Sequence, residues 1–148
     1  MKQGIYEILF NFELAPNVFR MVLKGDTSAL LSPGQFVNIK LDGLYLRRPI
    51  SVCDYDKETI TLIYKVVGAG TEKMAKMVVG DKLDLLVGLG NGFNAEKKCQ
   101  KPLVIGGGVG IPPLYGLCKE LIKFGKNLLS FWASILPPKY FMKRFSSF

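Results

Sequence analysis

Apolar and polar positions alternate through most of the first hundred residues. Tyr6, Ile8, Phe10 and Phe12 alternate with Glu7, Leu9, Asn11 and Glu13. Phe19, Met21 and Leu23 alternate in the same way with Arg20, Val22 and Lys24. This period of two predicts strands with Phe10 and Phe12 on the same inward face as Tyr6 and Ile8. Ser32-Pro33-Gly34 is a turn signal before a third strand over 35–41. Strands over 48–52 and 59–67 follow, separated by the acidic turn Asp54-Tyr55-Asp56-Lys57. Pro49 has no N–H to donate, which places its strand at an edge or bends it locally. Short strands at this spacing predict an antiparallel barrel or sandwich. One helix interrupts them: Thr71 is the expected cap of 72–78, with Met74, Met77 and Val78 at helical spacing. A strand over 82–87, a glycine-rich loop over 88–93 and a linker over 97–101 complete this part.

The pattern then changes type. Pro102-Leu103-Val104-Ile105 reads as a buried strand that runs into Gly106-Gly107-Gly108-Val109-Gly110. A helix over 111–124 follows, with Leu114, Leu117, Cys118, Leu121 and Ile122 as its apolar stripe and Gly125 as its stop. Strand, glycine turn and helix in this order open an α/β nucleotide-binding domain. The expected organisation is a barrel over 1–98, the start of an α/β domain over 99–127, and a tail of different character over 128–148. One strand and one helix cannot cover both faces of a parallel sheet, so an exposed apolar patch is expected there.

Composition removes several function classes. With 148 residues, 49% of them apolar, the chain can bury a core. It contains no histidine, which excludes histidine triads, histidine metal sites and histidine acid–base relays. Cys53, Cys99 and Cys118 lack metal-ligand spacing, predict no metal site, and suit a reducing cytoplasm. The net charge of +8 is dispersed, with Lys139, Lys143 and Arg144 adding +3 near the end, and no basic patch suited to nucleic acid emerges. No signal-peptide core and no apolar run of membrane length is present.

Four segments could carry chemistry. Arg48 and Ser51 lie three apart around Pro49 and Ile50, and a bend at Pro49 would bring a guanidinium and a hydroxyl to one ligand. The alternative is a surface arginine beside an edge proline. Ile63-Tyr64-Lys65 would line a ligand with one face, or form a plain half-buried strand. Gly68-Ala69-Gly70-Thr71 joins small residues to a helix start, suited to phosphate or simply to a capped turn. Gly107, Gly108 and Gly110 would let the backbone approach a pyrophosphate, with Pro113 where the usual pattern has its last glycine; the alternative is a tight turn without ligand. Asp54, Asp56 and Glu58 read as a solvated hairpin turn. No side chain reads as a catalytic acid or base.

These segments together resemble a known family. Arg48-Pro49-Ile50-Ser51 is similar to the flavin signature of the ferredoxin–NADP reductase superfamily, and residues 108–113 resemble its nicotinamide loop. The longer strings over 46–51, 63–71, 88–93 and 106–114 look like those of electron-transfer subunits of dihydroorotate dehydrogenase B. The resemblance implies a Greek-key-like, FAD-binding antiparallel barrel followed by a nicotinamide domain. It implies that residues 48–51 hold the pyrophosphate and flavin ring, that 63–65 line the cofactor, and that Gly70-Thr71 meet its phosphates. Electrons would pass from dihydroorotate, oxidised by an FMN-containing catalytic partner subunit, through a 2Fe–2S cluster and FAD to NAD in pyrimidine biosynthesis. A different ferredoxin- or sulfide-reductase subunit, or a barrel that only binds a partner, are the alternatives. Ile50 departs from the aromatic common at its position, and Cys53, Cys99 and Cys118 do not reproduce the family's cluster ligands, so no cluster is expected.

Residues 128–148 hold six of the 17 aromatic residues and no acid. The family pattern predicts a strand and a second βα turn here. Codons for residues 131–144, read two bases on, can encode a strand followed by an acidic helix start like the family's next segment. On this reading 128–148 is an aberrant or frameshifted tail, and the gene sequence decides it.

Overall fold

β1 (Lys2–Ala15) and β2 (Val18–Lys24) form an antiparallel hairpin. Its turn places Asn17 at φ 60°, where the Glu13 carboxylate accepts the Asn17 N–H at 2.8 Å. β3 (Phe36–Lys40), β4 (Arg48–Tyr55), β5 (Thr59–Lys65) and β6 (Lys82–Leu89) follow, with the helix α1 (Ala69–Ala75) between the last two. The six strands close a barrel in the order β1-β2-β5-β4-β3-β6, with antiparallel neighbours throughout. That order is a Greek key, and the sheet closes on itself. The computed structural model describes residues 1–133. The expectations for Lys139, Lys143, Arg144 and the rest of the tail beyond 133 lie outside the described residues.

The barrel interior is filled from every strand, including Ile8, Met21, Leu23, Ile39, Leu62 and Leu85, with Met74 of α1 closing one end. Two expectations fail on β1. Phe10 and Phe12 are 57% and 43% exposed, because the pairing with β2 shifts between Ile8 and Phe10. One extra residue reverses which face the following side chains occupy, up to a second shift between Glu13 and Ala15. α1 also begins three residues earlier than predicted. Gly68 is its cap, and Val78 lies beyond its end and is exposed.

The second part is small. β7 (Leu103–Gly107), a 3-10 turn at Gly108–Gly110, α2 (Pro112–Lys123) and β8 (Leu129–Ala133) make a two-stranded parallel sheet with one helix. β8 lies in the stretch read as a tail, where the family pattern predicts a strand. Gly125, at φ 68°, ends α2, and its C-terminal carbonyls accept from Gly125 N–H and Lys126 N–H. Val104, Cys118 and Leu121 are buried with Ala95 between sheet and helix, whereas Ile122, expected in the stripe, is exposed. Leu103 pairs with Leu129 and Ile105 with Phe131. These four side chains stand on one sheet face, 56–69% exposed. Parallel sheets ordinarily have both faces covered.

α2 docks on the barrel through β4. A Cβ at Gly116 would stand 3.2 Å from Pro33 Cβ and 3.3 Å from the Cys53 carbonyl, so glycine permits this close approach. Lys119 donates to both carboxylate oxygens of Asp54 at 2.8 Å. Among the described residues, no helix is long and apolar enough to cross a membrane.

Candidate functional site

The barrel's ladder has a gap. β4 pairs with β3 through residues 48–51 in unbroken register, so the bend expected at Pro49 does not occur. Pairing of β4 with β5 runs only through Val52, Asp54 and Tyr55, with a register shift between Val52 and Asp54. Extending the Val52–Leu62 register would set Ser51 against Ile63 and Pro49 against Lys65, yet no pair forms there. Two strand edges, 48–51 and 63–65, therefore face each other with main-chain groups outside the ladder. Such groups want partners, and a planar ligand with donors and acceptors along its rim can supply them.

The side chains divide around this gap. Arg48 and Ile50 lie on the inner face of β4, Ile50 packing on the core, while Pro49 and Ser51 are exposed on the outer face. Arg48 and Ser51 are thus on opposite sides of one strand. A single ligand reaching both must run along the strand edge. On β5, Tyr64 points into the barrel and is 2% exposed, whereas Ile63 and Lys65 lie on the outer face with Ser51. Tyr64 stacks on Phe19, with centroids 5.9 Å apart, and its hydroxyl donates to Asn11 Oδ1 at 3.2 Å. Burial pushes the Tyr64 hydroxyl well above the usual tyrosine value, and the Asn11 hydrogen bond offsets only part of that.

The two adjacent arginines have different tasks. Arg47 forms a forked pair with Asp84 at 3.1–3.2 Å and also donates to the carbonyls of Asn38 and Asp84. Arg48 donates to the Leu46 carbonyl at 2.6 Å and meets no carboxylate among the described residues. Its side chain lies on Gly70 in the first turn of α1, where a Cβ would overlap Nε, Cδ and Cγ. The structure therefore brings Arg48 and Gly70 together. Thr71 is buried, and its hydroxyl accepts from Val67 N–H and Gly68 N–H and donates to the Gly68 carbonyl. The Thr71 side chain is spent on the turn, leaving main-chain N–H groups of the first helical turn to meet an anion.

The glycine turn lies alongside β5. Gly107, Gly108 and Gly110 are exposed there, and Pro113 starts α2 beside Pro112. A Cβ at Gly108 or Gly110 would meet nothing within 4 Å. Gly108 is required by its φ of 52°, but neither strain nor a neighbouring group requires Gly110. Open space over a bare turn is what close approach of a ligand backbone needs.

The acidic trio separates. Asp54 pairs with Lys119, whereas Asp56 accepts from the Glu58 and Thr59 N–H groups and the Thr59 hydroxyl, which lowers its carboxyl. Burial alone would lower the Lys119 ammonium, but the Asp54 hydrogen bond and charge outweigh it and raise it. Burial pushes the Cys53 thiol up to about 12, with Asp54 adding to the effect, and the Cys118 thiol up to about 11. Sequence reasoning missed Asn11, Lys119 and the split between Arg47 and Arg48. Only Asn11 left a trace, as an amide inside an aromatic alternation.

No family model matches the chain. The electron transfer subunit of dihydroorotate dehydrogenase B (NAD(+)) from Enterococcus faecalis strain V583 is 44% identical over 137 residues, covering 88% of this chain and 52% of that protein. The Streptococcus mutans subunit of the same name is 47% identical over 119 residues, covering 76% and 46%. The chain is a homologue of the electron-transfer subunits of dihydroorotate dehydrogenase B. It spans about half the length of these relatives. A solved NADH-dependent reduced ferredoxin–NADP oxidoreductase, described for flavin-based electron bifurcation, superposes with a TM-score of 0.82 at 30% identity, covering 90% of this chain and 50% of that one. Phthalate dioxygenase reductase, at 17% identity, superposes with a TM-score of 0.80 over 98% of this chain and 48% of its own, and shows the fold alone. The chain thus carries a ferredoxin-reductase-like barrel with a small α/β part.

Proposed function

We propose that the barrel binds FAD in the gap between β4 and β5 and serves as the flavin half of an electron-transfer subunit. The observation that carries this is the pair of unpaired edges, 48–51 and 63–65, ending at Arg48 seated on Gly70. Arg48 would neutralise the pyrophosphate, with Gly70 and the first-turn N–H groups beside it. Pro49, Ile50 and Ser51 would flank the ring, the Ser51 hydroxyl being the exposed donor or acceptor on the outer face. Ile63 and Lys65 would line the opposite edge, with the Tyr64 side chain turned away from the ligand into the barrel. Bound there, FAD would supply the redox chemistry, while these residues would bind and orient it. Gly107, Gly108, Gly110 and Pro113 would form the turn over which NAD approaches.

In this reading the electrons come from dihydroorotate oxidised to orotate by an FMN-containing catalytic subunit, and the complex works in the cytoplasm. The cysteines present do not fit a 2Fe–2S cluster. Cys53 and Cys118 are buried in β4 and α2 with raised thiols, and Cys99 lies exposed in the linker. Such a cluster takes four thiolate ligands.

Titration of the purified chain with FAD, followed by flavin fluorescence, tests the reading directly. Saturable one-to-one quenching is expected, and protein that ignores added FAD overturns it. Dihydroorotate-dependent bleaching of the bound flavin, seen only with the FMN subunit present, would identify the electron donor.

A further inference from the structure

The bulge on β1 has a chemical result as well as a geometric one. By shifting the phase after Ile8, it exposes Phe10 and Phe12 and turns Asn11 towards α1. Asn11 Nδ2 donates to the Met74 carbonyl and to the Met77 carbonyl, each at 2.8 Å. Asn11 Oδ1 accepts from the Tyr64 hydroxyl at 3.2 Å. The amide can sit only one way round, since two carbonyls can only accept and Oδ1 cannot donate.

Those carbonyls are at and just past the C-terminal end of α1, where helix carbonyls lose their intrahelical donors. A helix of seven residues has little stability of its own. Asn11 and the buried Met74 hold its end, and Thr71 ties its start to Val67 and Gly68. Arg48 lies on Gly70 in that helix, so the place of α1 sets the place of the guanidinium. Tyr64, clamped by Phe19, fixes Asn11 in turn.

We propose that Asn11 and Tyr64 are positioning residues for the phosphate half of the flavin site, acting through α1 and Arg48 without touching the ligand. The inference rests on the FAD reading above. It explains why a tyrosine within a cofactor-like string points into the barrel.

The test compares FAD with riboflavin, which has the ring and no phosphate, on the full chain. Asn11→Asp keeps the size and the acceptor for Tyr64 but sets oxygens against both helix carbonyls. It is expected to weaken FAD binding about tenfold and to leave riboflavin binding within about twofold of wild type. Tyr64→Phe keeps the stack and removes one hydrogen bond, with an expected loss of about threefold for FAD only. Equal weakening of both ligands would reduce the network to general support of the fold and overturn the inference. Unchanged FAD affinity in both variants would also overturn it. Should Asn11→Asp fail to fold, Tyr64→Phe decides alone. Wild-type protein that binds no FAD removes the reading beneath the inference, an outcome visible before any variant is made.

Discussion

The barrel and the α/β part solve the same burial problem with unequal success. In the barrel, six strands turn one face inward, and the core residues of β1–β6 and α1 all meet there. Among the described residues of the α/β part, one helix covers one face of a two-stranded sheet, while Leu103, Ile105, Leu129 and Phe131 stand open on the other. A closed sheet is complete with its own strands. A parallel pair needs a second layer, and what steadies it here is the barrel, through Gly116 and the Lys119–Asp54 pair. The proposed flavin half is therefore self-contained, and the proposed nicotinamide half leans on it.

Core truncation gives the largest contrast. Leu62→Ala, in the centre of the barrel, is expected to cost about 2–5 kcal/mol in denaturant unfolding followed by near-ultraviolet circular dichroism. Leu121→Ala, under α2, should leave that transition within about 0.5 kcal/mol and instead speed amide exchange in α2. Equal shifts would show one cooperative unit and break the comparison.

Alkaline unfolding sharpens it. The folded thiols of Cys53 and Cys118 lie above their ordinary value of 9.0, at about 12 and about 11. Their contribution is therefore fully present below pH 9 and is lost as pH rises towards those values, because the unfolded thiol ionises first. The slope is about 1.4 kcal/mol per pH unit for each buried thiol. Cys53→Ala should flatten the slope of the barrel transition, whereas Cys118→Ala should flatten only that of α2.

The neighbouring arginines separate binding from stability. Arg48→Met is expected to weaken FAD about tenfold with little change in unfolding, read by fluorescence titration and thermal melts. Arg47→Met should do the reverse, costing about 1 kcal/mol of stability through the lost fork to Asp84. The smallest effect belongs to Lys119→Met. Its partly exposed pair with Asp54 should be worth less than about 1 kcal/mol, appearing as faster exchange in α2 with the barrel unmoved.

Much of this was legible in the sequence. The alternation around Met21, Leu23, Ile60 and Leu62 marks core positions, and the run from Pro102 to Gly125 marks strand, turn and helix nearly to the residue. What escaped were events that depend on a partner strand. A bulge shifts phase without any residue of special type, so Phe10 and Phe12 were assigned to the wrong face. The place of α1 was offset because Thr71 serves as well from the third helical position, reaching back, as from the cap itself. At the candidate site, the residue types were legible but not their directions. Arg48 and Ser51 stand on opposite faces of β4, and Tyr64 points into the barrel.

The gap between β4 and β5 also bears on solubility. Unpaired strand edges are templates on which another chain can add a strand, and proteins commonly blunt them with proline and lysine. By the extended register, Pro49 and Lys65 are the residues that stand opposite each other across this opening. One withholds a donor, and the other brings a charge that a hydrogen-bonded neighbour would have to bury. The barrel can thus keep a rung missing while turning away another polypeptide.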